Sequence, residues 1–368
     1  MLDNNNSDDP ETPAQDSPKA DAKPPKKRFR NYLLSFIFMA VLIAVTFYVI
    51  FKDRTLFDIF NVLHEVRLPY IGAGVLSMLL SLVVQSIVIG MAARWIRLRL
   101  RFCEMLQYCF IGVFYSGITP SSSGGQPMQF FYMVRDGIHY SKTTLILFVT
   151  NITYQLSAVV LGLVMIIYKW AYVAELESNL FFLFFFGFAI NFFMLLLLLG
   201  VMFSENLLTK LLRGILGLLA KIHIIKNPGK ALHGLDKYIS EVKAGVALIK
   251  GSPKRFWEIT SVTMVQLILY HLVPFFVYRA FGFSEFSVLD FVAVSAVLFI
   301  SVSFMPLPGS VGASESGFLL LFRPLFAISI LPGMLLSRFI SFYTMFVLCG
   351  IISIYVQLRK PYHIGRVD

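Results

Sequence analysis

Charge is scarce in this sequence. Asp, Glu, Lys and Arg make up only 14% of its 368 residues, against 57% that are hydrophobic. A soluble domain of that size needs a more polar surface. Cysteine is sparse as well. Cys103, Cys109 and Cys349 show no metal or redox spacing, so they read as small apolar fillers and no metal site is expected. Enzyme signatures are missing: there is no HExxH, GxSxG, Walker A or dinucleotide fingerprint. The first 31 residues lack the basic, apolar, small order of a cleavable signal. They read as a disordered tail, 1–31, that ends in the basic cluster Lys26 to Arg30.

What is present is apolar sequence in long runs, with 37 phenylalanines among them. Phe181 to Phe203 carries one Asn and no charge. About 20 such residues cross roughly 30 Å of hydrocarbon as a helix. Six full spans follow on this criterion: Tyr32–Phe51, Pro69–Ala92, Thr143–Tyr168, Phe181–Phe203, Phe256–Tyr278 and Leu331–Val356. Pro274 predicts a kink in the fifth. Two further apolar segments, 103–134 and 288–322, are interrupted by Pro and Gly. Each keeps only a short arm after the break, too short to cross at 1.5 Å per residue. Each therefore reads as a re-entrant helical hairpin, with its unwound backbone sheltered by protein or a wet cavity.

Net charge is +11, yet the basic residues avoid the apolar runs. They read as loops facing anionic headgroups, not as a nucleic-acid surface. Of the 32 Lys and Arg, only Lys52, Arg54, Arg67, Lys169, Arg279 and Arg323 fall on one side, and Arg338 lies inside a span. The rest share the other side with both termini and the 204–255 loop. That asymmetry places both termini in the cytoplasm, and the membrane expected is a bacterial inner membrane. Within the loop, Asn206–Ile225 has basic residues among helix-periodic leucines, and a second helical pattern runs from Asn227–Gly229 to about Lys250.

The two broken segments resemble each other. Thr119–Pro127 reads TPSSSGGQP and Met305–Glu315 reads MPLPGSVGASE. Pro120 and Pro306 stand 186 positions apart, and two spans precede each hairpin while one follows. Three spans per unit is odd, so the second unit enters from the opposite side. The fold class expected is an all-α polytopic membrane protein with inverted-topology repeats. The first repeat covers 32–168 and the second 169–358, followed by a cytoplasmic tail, 359–368. The hairpin tips are expected to meet inside the bundle, where helix ends leave N–H groups suited to an anion.

Candidate binding residues at the first tip are Thr119, Ser121, Ser122, Ser123, Gly124, Gly125 and Gln126, with Gln129 one turn on. The hydroxyls either hold a phosphate or cap the second half-helix. At the second tip they are Pro306, Pro308, Gly309, Ser310, Gly312, Ser314 and Glu315. A carboxylate at membrane depth needs a partner, and Arg338 is the natural one. Arg338 either forks onto a lipid phosphate or pairs structurally with Glu315. At the repeat distance, Glu315 falls on Gln129 and Arg338 on Ile152, beside Asn151. Gln155, Asn191, Gln266 and His271 are further intramembrane polar residues. His271 reads as a packing residue, and Asp136 as a turn or cap residue.

Gly117–Pro127 with the following Arg135–Gly137, then Pro306–Glu315, then Arg338 carry a family resemblance. The chain resembles the flippase-like transmembrane region of lysylphosphatidylglycerol synthases over about 32–358. The resemblance implies a protein that moves a phospholipid between leaflets, such as aminoacylated phosphatidylglycerol or a related anionic lipid. It implies no synthase activity, because the soluble synthase domain has no counterpart here. Gln126 departs from the pattern, since relatives commonly have an acidic residue there. No enzyme activity, cofactor or nucleic-acid partner is expected. The partners are a membrane phospholipid and, in one reading, a lipid-modifying enzyme. Two alternatives stay open: a secondary transporter of a small solute, and a non-catalytic partner of an envelope enzyme.

Overall fold

The computed structural model describes residues 66–171, 178–204, 206–207, 209–210, 213–214 and 228–359. The expected first span, Tyr32–Phe51, the 1–31 tail, most of Asn206–Ile225 and the residues after 359 lie outside them. Every regular element among the described residues is helical. Five helical stretches are long and apolar enough to span a membrane.

Helix α1 is Leu68–Trp95, with Pro69 in its first turn, where a missing N–H costs nothing. Its inner face carries serines. Ser77 Oγ donates to Leu269 O at 2.7 Å and Ser81 Oγ to Gln266 O at 3.0 Å. The partner helix is α7, Pro253–His271, and the numbers fall on one as they rise on the other, so the two run antiparallel. Small side chains allow that close approach. After α7 the backbone breaks at Leu272 and resumes as α8, Val273–Ala280, with Pro274 at its start, where the sequence predicts a kink.

Each broken segment forms a helical hairpin. The first is α2, Phe102–Ile118, a turn at Pro120–Ser122, and α3, Gly125–Arg135. Helix α4, Tyr140–Tyr168, follows. The very apolar α5, Ser178–Phe203, turns most of its surface outward, with Phe182 and Phe193 exposed. A helix apolar all round and exposed belongs against lipid. Helix α6, Pro228–Lys250, buries Ile239, Val242, Val246 and Ile249 along one helical face. It packs on the start of α4, where Ser141 donates to Glu241 and Thr144 meets Tyr238 at 2.8 Å. The second hairpin is α9, Val288–Val302, a turn at Pro308–Ser310, and α10, Ala313–Leu321. The last apolar stretch, Arg323–Leu358, is not one helix. It contains α11, Ile330–Arg338, a π-helical turn at Phe339–Tyr343, and α12, Thr344–Leu358.

The hairpins enter the bundle from opposite ends of α1. Helix α2 starts a few residues after the Trp95 end. Helix α9 starts a few residues after Ala280, whose carbonyl accepts from Arg67 N at the Leu68 end (2.9 Å). Their packing is reciprocal: α2 lies on α12, and α9 lies on α4. The tips touch, and Ser121 Oγ donates to Met305 O at 3.3 Å.

The two hairpins begin alike. Arg101 N donates to Glu104 Oε2 at 2.8 Å, and 186 residues later Ser287 N donates to Asp290 Oδ2 at 2.8 Å. In each, the carboxylate three residues on satisfies an N–H at the helix start; only Ser287 returns the bond with its side chain, Oγ accepting from Asp290 N at 3.4 Å. At the tips the equivalence slips by two. Ser121 (φ 50°) and Ser122 (φ 55°) match Gly309 (φ 59°) and Ser310 (φ 51°), an offset of 188. The backbone thus sets Pro120 against Pro308, not Pro306 as the sequence spacing predicts. Helix α9 stops at Val302 and unwinds early, whereas α2 runs directly into its turn, and this absorbs the two extra residues. Counted from the helix start, Glu315 then stands opposite Pro127 and not Gln129. The first hairpin has no polar side chain at that place.

Candidate functional site

The second tip builds a buried polar corner. Gly312, at φ +86°, adopts a conformation that L side chains rarely take, and so turns the chain into α10. Its N–H donates to Glu315 Oε2 at 2.7 Å. Glu315 Oε1 accepts from Arg338 Nε at 2.8 Å and from Tyr343 OH at 3.5 Å. Arg338 Nη2 reaches Gly309 O at 3.3 Å, which ties the guanidinium to the turn itself. Residue exposure is 2% for Glu315 and 8% for Arg338. Two charges so deeply placed are tolerable only as a hydrogen-bonded pair.

The π-turn after Arg338 explains how three residues of the last stretch face one corner. A π-turn closes i→i+5 bonds and winds more slowly than an α-helix, so the residues four and five positions after Arg338 both fall near its face. Tyr343 thereby reaches Glu315. Phe342 lies flat under the guanidinium, 4.6 Å from carbon to ring centroid, in a cation–π contact. The same ring blocks any side chain at Gly309, where a Cβ would come within 2.3 Å of it.

Beside this corner is a cleft of about 70 Å³. Tyr270, Phe299, Ser314, Ser337, Arg338 and Ser341 are among its lining residues. Ser295 also lines it and contacts the buried His271 through Nδ1 at 2.8 Å. Of the second-tip candidates, Ser314 and Arg338 face the cleft, while Glu315 supports Arg338 from behind. Pro308 is buried within the turn, Ser310 Oγ donates to Val302 O at 3.3 Å, and Pro306 is exposed. Sequence reasoning missed Ser337 and Ser341. Their spacing about Arg338 on one helical face was the available signal.

The first tip divides differently. Thr119 closes the turn: its hydroxyl donates to Tyr115 O at 2.7 Å and accepts from Gly124 N at 2.8 Å. Gly125 lets α3 approach α2, since a Cβ there would meet Gly112 O at 2.7 Å. Gln129 is buried and donates to Tyr108 O at 2.9 Å. Ser121, Ser122, Ser123 and Gln126 are exposed. The first tip therefore presents hydroxyls outward, while the second encloses its charges.

Two further polar clusters brace the hairpins. Gln155 Nε2 donates to Asn191 Oδ1 at 3.0 Å, and Asn191 Nδ2 donates to Ser303 Oγ at 2.8 Å. This links α4 and α5 to the place where α9 unwinds. At the base of the first hairpin, Asp136 ends α3 and is fully buried. It accepts from Arg135 at 3.1 Å, from Arg359 at 2.9 Å and from Tyr108 OH at 3.2 Å. Arg359 also donates to Gln107 Oε1 at 2.9 Å, so the end of the last helix is tied to the start of the first hairpin. Asp136 is thus a turn residue, as its sequence context implies, and also the centre of an ionic knot. No group of three or more His, Cys, Asp or Glu able to hold a metal occurs among the described residues.

Long apolar helices, lipid-facing phenylalanines and buried charge pairs define a multi-pass membrane protein. Residues 32–349 match the model of the lysylphosphatidylglycerol synthase transmembrane region, and the chain belongs to that family. The family ties it to a membrane, lipid-related function. A comparison with curated proteins gave no match.

Proposed function

We propose that the protein is a lipid translocator that moves a phospholipid between the leaflets of a bacterial inner membrane, with both termini in the cytoplasm and without covalent chemistry of its own. The observation that carries this reading is the tip-to-tip meeting of two hairpins that enter from opposite ends, beside a cleft lined by Arg338 and four serines. Antiparallel pairing of α1 with α7, and the reciprocal packing of α2 on α12 and α9 on α4, support an inverted repeat. In such an architecture, rocking of one half against the other changes which side reaches the centre. The headgroup enters between the halves while the acyl chains stay among lipid, beside surfaces such as α5.

Leaflet exchange of labelled phospholipids in proteoliposomes tests this. Protein-dependent exchange that is lost in Arg338→Ala, with the variant still monodisperse, is the result expected. No exchange of any phospholipid, with or without a proton or sodium gradient, overturns the translocator reading.

A further inference from the structure

The Glu315–Arg338 pair leaves part of its guanidinium unused. Nε and Nη2 have partners, whereas Nη1 has none among the described residues. The neighbouring Ser337 is 3% exposed, lines the same cleft, and its Oγ has no hydrogen-bond partner among the described residues. A buried hydroxyl left unmatched costs free energy, so such groups in native proteins ordinarily have a partner. Here Ser337 and Arg338 both line one small cavity. Ser314 and Ser341 add hydroxyls to its wall.

We propose that Ser337 Oγ–H and Arg338 Nη1 form an oxyanion subsite that takes a phosphate group, either the phosphodiester of a lipid or free phosphate. This rests on the translocator reading and specifies its ligand. Three features support it. First, both groups are donors, and a hydroxyl beside a guanidinium matches an acceptor-only oxyanion. Second, the cavity of about 70 Å³ exceeds the roughly 10–15 Å³ that one water needs, so it admits a group of several atoms. Third, no Asp or Glu lines the cleft among the described residues. Glu315 is already held by Gly312, Arg338 and Tyr343. An ammonium on the headgroup therefore meets no carboxylate in the cleft, and the site reads the phosphate and not a positive charge attached to it.

The division of labour follows. Glu315 and Gly309 O hold the guanidinium plane, so its free edge is aimed before a ligand arrives. Pre-oriented donors lose little freedom on binding, which is where much of the affinity of a small site originates. Ser337, on the turn before the π-helix, adds a second donor from the same backbone segment.

The test is native mass spectrometry of the full chain in dodecyl maltoside, with phosphatidylglycerol, its lysylated form, or diacylglycerol added. Phosphatidylglycerol is expected to bind and diacylglycerol, which lacks the phosphate, is not. Ser337→Ala is expected to weaken phosphatidylglycerol binding about tenfold, the scale of one hydrogen bond to a charged group. Lysylation is expected to give no gain. Millimolar inorganic phosphate separates the two sources: displacement of the lipid assigns the site to the oxyanion itself, and persistence of the lipid assigns it to a phosphate presented on acyl chains. Equal binding by Ser337→Ala, equal binding of diacylglycerol, or a tenfold gain on lysylation would overturn the subsite. Since removing an unmatched hydroxyl should leave the fold intact, a thermal unfolding curve for Ser337→Ala that matches the parent makes a binding loss interpretable. Binding is read without transport, so intact binding with no leaflet exchange overturns translocation alone, and exchange without Ser337 dependence overturns this site alone.

Discussion

Arg338 and Glu315 face each other at 2.8 Å, joined across a turn whose own backbone each of them also holds. Breaking one side of a buried pair leaves the other charge stranded, which costs about 3–5 kcal/mol. Glu315→Gln is therefore expected to lower stability by about 3 kcal/mol. The double variant Glu315→Gln/Arg338→Met removes both charges and is expected to regain at least half of that loss. Thermal unfolding in detergent, followed by tryptophan fluorescence, measures both. A double variant as unstable as the sum of two singles would show that the charges matter separately and not as a pair.

Gly309→Ala combines a positive φ of 59° with a ring 2.3 Å from the new methyl group. Phe342 must move, and with it the face on which Arg338 rests. A stability loss of about 1–3 kcal/mol is expected from the overpacking and strain together. Lipid exchange should fall further than stability predicts. Gly214→Ala, where a Cβ meets nothing within 4 Å among the described residues, serves as the comparison.

The knot around Asp136 joins residues 223 positions apart. Asp136→Asn weakens three contacts at once and strands Arg359 beside Gln107. Hydrogen exchange is expected to accelerate in the last turns of α12 and at the start of α2 together. Faster exchange in only one of the two would mean that the contact does not couple them.

Native cysteines report the orientation without any substitution. Cys103, at the start of α2, is exposed, whereas Cys109 and Cys349 are buried. With both termini in the cytoplasm, a membrane-impermeant maleimide is expected to label one cysteine in inside-out vesicles and none in right-side-out vesicles. Labelling from the outside alone would reverse the proposed topology.

Much of this architecture was legible in the chain because the bilayer imposes local rules. A span needs about 20 apolar residues wherever it lies, so length and composition marked α1, α4, α5 and the α7–α8 pair within a few residues. Pro and Gly in mid-segment marked both hairpins, since a helix lacking an N–H must break there. Glu315 and Arg338 were legible as partners for the same reason: charge at that depth has few ways to be satisfied. The exposed serines at the first tip were legible as residues but not as a surface, because the sequence holds no record of which side of a turn faces out.

The rest depended on contacts made at long range. The two-residue slip between the tips is invisible in a repeat distance of 186, because it arises from where α9 unwinds against α4 and α5. The π-turn that brings Phe342 and Tyr343 to the Glu315–Arg338 corner leaves no distinctive motif. Arg359 and Asp136 are both ordinary loop residues until folding brings them within 2.9 Å. Ser337 was one serine among many until the cleft formed beside it. Hydrophobic length and helix-breaking chemistry act on neighbours in the chain, so the sequence alone marked the apolar stretches and both hairpin breaks, and left Arg338 open between Glu315 and a lipid phosphate. Burial and hydrogen-bond partnership act on neighbours in space, so only the tertiary structure decided the register of the tips, the knot and the unmatched donors that border the cleft.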